Sequence, residues 1–249
     1  MTQTKTYTPE ELANLSLGFE GQAPEAVMRW AAGEFFPDLV LACSFGGPSG
    51  MVLVDIMAKI EPQVEIFYLD TDFLFPETYE TRDRVIERYG MKAVAYKSDY
   101  TPEQQAAEFG AELWKSNPDL CCNLRKVIPN KRALEGKRAW ISGIRRDQAS
   151  SRRETPLVQW DEKFGLVKIN PLATWTEADV WKYVIDNDVP YNPLHNKSYP
   201  SLGCTYCTKP VIEGDDLRSG RWQGLDKEEC GIHMPGEPIP LARGEDNIG

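Results

Sequence analysis

No stretch of this chain is apolar for anything near the ~20 residues that a membrane span needs, and a membrane partner is not expected. The first residues, Met1-Thr-Gln-Thr-Lys-Thr-Tyr7, lack the apolar core of a secretory signal. Cysteine is sparse: six in 249 residues are too few for a disulfide scaffold. Thiols kept free for metal or catalysis imply a reducing compartment, so a cytoplasmic location is the expectation. Positive charge is in deficit, with 28 Lys and Arg against 38 Asp and Glu, a net charge of −10 and a pI near 4.9. That balance excludes a broad nucleic-acid face. Internal repeats and low-complexity tracts are also absent. What remains is ordinary for a globular protein, 41% hydrophobic and 27% charged, and long enough for one full core.

The scarce basic residues are gathered rather than spread: Arg125-Lys126, Lys131-Arg132, Arg145-Arg146, Arg152-Arg153, and Arg218 with Arg221. Local cationic clusters in an acidic chain suit a small anionic ligand, although each pair taken singly also reads as solvated surface.

Apolar patterning predicts alternating strands and helices. Thr8-Pro9-Glu10-Glu11 starts a helix with a cap, Pro at the first position and an acid at the third. Another helix covers Pro24 to Phe35. Strands are expected within Asp38–Ser44, Glu65–Asp70, Met91–Tyr96 and Arg138–Gly143, as short apolar runs bounded by turn residues. Helices are expected over Met51–Ile60, Pro76–Tyr89, Pro102–Phe109 and Asp119–Leu134, the last kinked near Pro129. Leu157–Trp160 and Phe164–Ile169 read as a hairpin or edge strands, and Thr176-x-x-Asp179 opens a helix through Asn187. The fold class is α/β: a mostly parallel twisted sheet with helices on both faces, then an irregular Pro- and Gly-rich C-terminal segment beyond Asp188. Residues 1–229 are expected to form one domain and 230–249 a tail, flexible from Glu237 onward.

In such sheets ligands bind beyond the carboxyl ends of the strands, where Ser44, Asp70 and Gly143 fall. Ser44-Phe-Gly-Gly-Pro-Ser-Gly50 lets backbone approach an anion at a helix start. It lacks the Lys-Ser/Thr ending of a Walker loop, and a plain strand-to-helix turn reads equally well. Asp70-Thr-Asp72 follows the second strand as turn or ligand contact. Ser142-Gly-Ile-Arg-Arg-Asp147 sets two arginines at a strand end, poorly suited to a core and well suited to an anion.

The cysteines are the most telling feature. Cys121 and Cys122 are adjacent, and Cys204 and Cys207 form a C-x-x-C within Ser201–Pro210. Adjacent cysteines suit a single tetrahedral zinc poorly, whereas a cluster offers each thiol its own iron. A [4Fe-4S] cluster is therefore favoured over zinc, and a vicinal disulfide with a redox C-x-x-C is the remaining alternative. Cys43 reads as buried packing. Cys230 stands alone in Lys227-Glu-Glu-Cys-Gly-Ile-His233, a candidate nucleophile. Glu228 and Glu229 beside it would raise its pKa, so activation must come from a basic site into which it docks, with His233 as a possible partner.

Taken together, these motifs resemble the assimilatory sulfonucleotide reductases of the iron–sulfur, adenylyl-sulfate (APS) type. The resemblance runs from about Ala42 to His233. It rests on Cys121-Cys122 with Cys204-x-x-Cys207, on Glu229-Cys-Gly-Ile-His233, and on Leu69-Asp-Thr71, Pro76-Glu-Thr-Tyr79, Ser142–Gln148 and Gly220-Arg-Trp222. It implies an adenine-nucleotide α-hydrolase-like fold that reduces adenosine 5′-phosphosulfate to sulfite and AMP, with thioredoxin or glutaredoxin as reductant. By that likeness Ser44, Gly46 and Gly47 face the phosphosulfate or nucleotide, and Leu69, Asp70, Thr71 and Gly143 meet the adenosine. Lys126 would bridge cluster and substrate; Arg145, Arg146, Arg218 and Arg221 would surround the phosphosulfate. Cys121, Cys122, Cys204 and Cys207 would hold the cluster, and Cys230 would attack. The family commonly has glycine where this chain has Asp72, and an acid there would disfavour a 3′-phosphate. Alternatives are a 3′-phosphorylated (PAPS) or dual substrate, an ATP-dependent sulfur transferase, whose loop would want an acid where Pro48 stands, and an iron-sensing or electron-carrying protein, which would need neither Cys230 nor a nucleotide pocket.

Overall fold

A computed structural model of the chain describes residues 6–212, 216–225 and 227–233. Nine α-helices and six strands are found among the described residues. The helices are α1 (Pro9–Phe19), α2 (Pro24–Phe35), α3 (Pro48–Ile60), α4 (Pro76–Tyr89), α5 (Pro102–Phe109), α6 (Leu113–Ser116), α7 (Pro118–Cys122), α8 (Ile128–Leu134) and α9 (Glu177–Asp186). The strands are β1 (Leu39–Ala42), β2 (Glu65–Asp70), β3 (Ala93–Lys97), β4 (Ala139–Ile141), β5 (Val158–Asp161) and β6 (Leu166–Ile169). They form one sheet in the order β3-β2-β1-β4-β6-β5. All neighbours are parallel except β5, the edge strand, which returns antiparallel on β6 as a hairpin. None of the described helices is long and apolar enough to cross a membrane.

The core follows from strand alternation, which sends successive side chains to opposite faces. Leu39, Leu41, Ile66, Tyr68, Ala139, Ile141, Val167 and Ile169 join the larger cluster with Val27, Met28 and Phe35 of α2, Leu53 of α3 and Val180 of α9. Val40, Phe67, Trp140 and Leu166 point the other way and meet Ala133 and Leu134 of α8. Helices therefore cover both faces, and the central parallel strands β1 and β4 are apolar throughout. The chain bends from β1 into α3 through Phe45, held at φ +54° and buried edge-on against Tyr68 with ring centroids 5.5 Å apart.

Two elements that position the site differ from the sequence reading. α3 begins at Pro48 rather than Met51, because proline is suited to the first helical turn, where its missing N–H costs nothing. The helix expected over Asp119–Leu134 is broken by a π-helical turn at Asn123–Val127, between the cysteine pair and Pro129. Such a turn adds a residue to the helical repeat and is often found at functional sites. Here it buries Arg125 and Lys126 side by side. Residues 234–249, including the flexible end expected from Glu237, lie outside the described residues.

Arg125 ties this turn to the sheet. It donates to the Thr71 carbonyl at 2.9 Å, Gln105 Oε1 at 2.6 Å and Asp72 Oδ2 at 3.0 Å, and lies 4.2 Å over the Phe73 ring. Asp72 sits at φ +58°, a left-handed conformation that glycine adopts freely and an L residue adopts at a cost. Its carboxylate is spent on Arg125 and on Lys97 at 2.8 Å, and it does not line the cavity described below. The expectation that Asp72 confronts a 3′-phosphate is corrected accordingly: the acid offsets the strain of its backbone by pairing a buried guanidinium.

Arg125→Leu should lower folding stability by about 3 kcal/mol, because it breaks a buried ionic network, removes the donor to Gln105 Oε1 and the Thr71 carbonyl, and leaves Asp72 with Lys97 alone. Urea unfolding followed by circular dichroism checks this, and an unchanged midpoint would contradict it.

Candidate active site

The carboxyl ends of β1, β2 and β4 open into a cavity of about 310 Å³, at the lower end of the range for small-molecule sites. Its floor is the β1–α3 loop. Ser44 Oγ accepts from the Gly46 N–H at 3.4 Å, and the N-cap of α3, Gly47, has no side chain to cap the helix, so the first N–H groups are available to an anion. Gly46 is closely packed: a Cβ there would lie 3.1 Å from Leu202 Cβ, so Leu202 would have to give way to a side chain. Its carbonyl is paired with His195 Nε2 at 2.9 Å. The cavity wall includes Ser44, Gly47, Leu69, Thr71, Lys126, Gly143, Arg145, Arg218, Arg221, Cys204 and Cys230. Gly46, Asp70 and Arg146 do not line it.

Two of these exceptions have clear physical causes. The Asp70 carboxylate accepts from Tyr79 Oη at 2.7 Å and from the Asp72 N–H at 3.1 Å, which makes it a brace for the loop after β2. Arg146 turns to the far side and pairs with Glu20 at 2.5 Å while donating to the Thr155 carbonyl. The N-terminal helices thus capture the second arginine of the pair. Arg145 stays: it reaches Ser49 Oγ at 2.6 Å and Asp147 at 2.9 Å.

The C-terminal segment closes the cavity. Thr205 N donates to the Phe73 carbonyl, Trp222 N donates to the Cys207 carbonyl, and Thr208 bridges Arg221, so 204–209 and 220–222 run together beside the loop after β2. This brings Arg221 to within 4.5 Å of the Trp222 ring, where it also donates to the Leu202 carbonyl at 3.2 Å. Glu229 is clamped by Arg152 through two bonds of 2.7 Å, with Arg218 at 3.4 Å. Burial would raise this carboxyl, but the guanidinium groups of Arg152, Arg218 and Arg221 hold it below the usual range. Glu229 is thus an ion-paired carboxylate rather than a free neighbouring charge, and its upward push on Cys230 is outweighed rather than removed. Lys163 donates to the Gly231 carbonyl at 2.7 Å, and Ile232 packs on the Val40–Trp140 cluster.

Cys230 is consequently seated beside Lys126 and Arg221. Burial pushes its thiol up, but Lys126, the Ile232 N–H and Arg221 outweigh burial and Glu229, and the pKa falls below that of an ordinary thiol. Lys126 is nearly fully buried. Burial disfavours its ammonium, but Cys204, Cys122 and Cys230 around it hold the proton on and raise its pKa. Cys43, at the end of β1, is pushed up to about 12 by burial and stays protonated.

On the other side of Lys126, Cys121, Cys122, Cys204 and Cys207 line one small cavity with Phe73, Trp114, Pro118, Arg125 and Tyr206. Trp114 and Tyr206 stack at 3.9 Å and 9°, and Phe73 packs edge-on against both. All four thiols are free. Burial and then mutual repulsion push Cys121 up to about 12, while burial pushes Cys122 to about 11. Ionising this set needs added positive charge, as a metal centre supplies. The donors suit a soft, thiophilic group. Among the described residues no three donors could hold a single metal ion. The buried donors Asn130 Nδ2, Arg221 Nε and Trp222 Nε1, which belong to residues lining the larger cavity, have no partner among the described residues. All three are donors, which matches an acceptor-rich, anionic occupant.

Sequence reasoning missed Arg152, noted there only in a basic pair, and Asn130 and Trp140. Nothing local marks them, since their place in the cavity comes from separate elements.

A family model described as "Phosphoadenosine phosphosulfate reductase domain" matches residues 38–210. The adenosine 5′-phosphosulfate reductase of Lysinibacillus sphaericus is 52% identical over 208 residues, covering 83% of this chain and 89% of that protein. The protein of the same name from Salinibacter ruber is 45% identical over 232 residues, covering 93% and 92%. Adenosine 5′-phosphosulfate reductase 1 of Bacillus subtilis is 50% identical over 209 residues, covering 84% and 89%. Among solved structures, the phosphoadenylyl-sulfate (PAPS) reductase of Candida auris, in a phosphate complex, superposes with a TM-score of 0.73 at 32% identity, covering 84% of this chain and 100% of that one. The Candida glabrata FMN adenylyltransferase, at 15% identity and a TM-score of 0.54 over 94% and 85%, shares the fold alone.

A Cβ at Gly203 would lie 2.3 Å from Arg221 Nη2, at the end of a flexible side chain. Gly203→Ala should therefore move Arg221 and spare the fold. With that cation displaced the Cys230 pKa rises, so less thiolate is present and alkylation of Cys230 by iodoacetamide at neutral pH slows, with the thermal midpoint unchanged. Alkylation at the wild-type rate would remove Arg221 from the thiol's activation.

Proposed function

The chain belongs to the phosphoadenosine phosphosulfate reductase domain family, and from that membership and the site we propose that it reduces adenosine 5′-phosphosulfate to sulfite and AMP in sulfate assimilation. The carrying observation is Cys230, whose thiol of lowered pKa shares one cavity with Lys126, Arg221 and the anion-facing β1–α3 loop.

The nucleotide lies across the strand ends, with adenosine toward Leu69, Thr71 and Gly143 and the phosphosulfate toward Ser44, Gly47, Arg145, Arg218 and Arg221. The Cys230 thiolate attacks the sulfate sulfur. A Sγ–S bond forms, the bridging S–O bond breaks, and its electron pair leaves with AMP. Thiolate and phosphosulfate are both anions, so the attack depends on the preorganised cations around them. Lys126 is best placed for this, already charged and excluded from water. A dithiol protein of the thioredoxin or glutaredoxin kind then attacks Cys230 Sγ. The Sγ–S bond breaks, sulfite departs with its electron pair, and the resulting mixed disulfide is resolved by the second thiol of the reductant. Docking of 227–233 shields the S-sulfocysteine from water in between. Free thiols suit a reducing, cytoplasmic setting.

Cys121, Cys122, Cys204 and Cys207 would hold a [4Fe-4S] cluster, the wider group that their spread around one cavity fits better than a single ion. Such a cluster supplies fixed charge next to Lys126 and the substrate rather than electrons for the reaction. The 3′-phosphorylated nucleotide is the second reading, supported by the likeness to a PAPS reductase. Asp72 no longer argues against it.

Anaerobically purified protein with reduced thioredoxin should release sulfite from adenosine 5′-phosphosulfate and much less from its 3′-phosphorylated analogue. Equal release from both would establish the dual reading, and none from either would overturn the proposal. Cys230→Ser should bind AMP normally yet release no sulfite; full activity would exclude Cys230. Cys122→Ser should lose iron, and unchanged iron content by colorimetric assay would exclude the four-thiol assignment.

A further inference from the structure

Lys168 is a buried charge that the proposed reaction leaves unused. It sits on β6, where alternation sends Val167 and Ile169 into the larger core and Leu166 and Lys168 toward the opposite face. The register sets Trp140 of β4 directly beside it. Only 4% of Lys168 is exposed, and burying an ammonium costs several kcal/mol unless it is well paired. Its pairing is poor. Asp161 Oδ2 is 3.9 Å away and also accepts from Trp140 Nε1 at 3.2 Å. Over the Trp140 ring, 5.0 Å off, Lys168 gains a cation–π contact. Its Nζ lies 3.2 Å from Nδ1 of His233, on the segment that carries Cys230.

Burial lowers the Lys168 pKa to about 8, with Asp161 opposing, so at neutral pH it is still an ammonium; having three donors and no acceptor, it makes Nδ1 of His233 accept and leaves the ring proton on Nε2. The imidazole stays neutral, because burial and then Lys168, Arg152, Arg218 and Lys163 all oppose a second proton. Stacking on Trp140 at 5.7 Å and 6° fixes the ring plane. His233 lines the cavity and Lys168 does not. The tautomer of a cavity-lining histidine is thus set from behind, by Lys168, which does not line the cavity, and its orientation by Trp140, which does.

We propose that Lys168 is a positioning residue: by holding His233 as a neutral Nε2–H donor stacked on Trp140, it seats the Cys230 segment and presents that donor to the substrate. The inference rests on the reductase reading above. When the sulfonate passes to Cys230 Sγ, the electron pair of the broken S–O bond collects on the phosphate oxygen of AMP. An N–H donor on the cavity wall stabilises that growing charge by a hydrogen bond, with no proton transferred.

The test is the single-turnover rate of sulfonate transfer from adenosine 5′-phosphosulfate to Cys230, read by mass spectrometry on iron-loaded protein without reductant. A hydrogen bond to a charged group is worth roughly 1.5–3 kcal/mol, so Lys168→Met should slow transfer about tenfold to a hundredfold while AMP binding and circular dichroism stay as in wild type. His233→Phe, which keeps the stacking, should lose a similar factor. The double variant should be no slower than His233→Phe alone, because Lys168 acts through His233. Lys168→Gln keeps a donor and should lie between wild type and Lys168→Met. A wild-type rate in Lys168→Met, or losses that multiply in the double variant, would overturn the inference while leaving the reductase reading intact. Should Lys168→Met fail to fold, the cycle is run with Lys168→Gln and His233→Phe, where multiplied losses likewise overturn it. Absence of transfer in the wild type would overturn the reductase reading and this inference together.

Discussion

A buried lysine cannot keep its charge unless negative groups surround it, and the functional half of this molecule is built around that constraint at Lys126. The π turn that carries it buries Arg125, whose charge Asp72 balances, and Lys126, whose charge is balanced by the Cys230 thiolate and, once they are ionised, by Cys122 and Cys204. Cys122 and Cys204 face it from the four-cysteine cavity and Cys230 from the larger one. One ammonium thereby links two cavities. It favours the thiolate at Cys230 and is in turn held charged by the sulfur atoms around it.

The same accounting explains why the C-terminal segment docks. Arg152, Arg218 and Arg221 form a second pool of buried positive charge, and Glu229 enters it as the protein's own anion. Ile232 then completes the apolar cluster beneath the sheet, and His233 covers Trp140. Each contact holds Cys230 over the strand ends, which suits attack on a bound phosphosulfate and shields the product of that attack. On the proposed reaction a partner's thiol must later reach the same sulfur, so the contacts that favour the first step have to yield for the second. Many modest polar contacts with one apolar anchor suit such a reversible seat better than one continuous hydrophobic interface.

Much of the scaffold could be read from local patterns. The bounds of β2, α4 and α5 follow from apolar runs stopped by Pro at a helix start or Gly past its end, as at Pro76 and Gly90. Ser44, Gly143 and Arg145 were likewise legible as residues at the strand ends. What sequence could not convey were pairings between distant residues. Arg146 looked equivalent to Arg145 until Glu20, 126 positions away, claimed it. Glu229 looked like an unopposed hindrance to Cys230, but Arg152, 77 positions away, pairs with it, and Lys126 and Arg221 outweigh what remains of its effect. Asp72 looked like a selectivity residue until Arg125, 53 positions away, took its carboxylate. The π turn was hidden for a related reason: one extra residue in a helix leaves composition and periodicity almost unchanged, yet it re-aims Lys126.

The central claim is that Cys230, activated by buried cations, takes the sulfonate from the nucleotide. Its most direct test is the intact mass of anaerobically purified protein after incubation with adenosine 5′-phosphosulfate and no thiol reductant, followed by peptide mapping. One sulfonate per chain, located on Cys230 and released as sulfite when a dithiol is added, is the predicted result. Sulfite released without a dithiol and with no adduct at Cys230, or a sulfonate carried on another cysteine, would contradict the account.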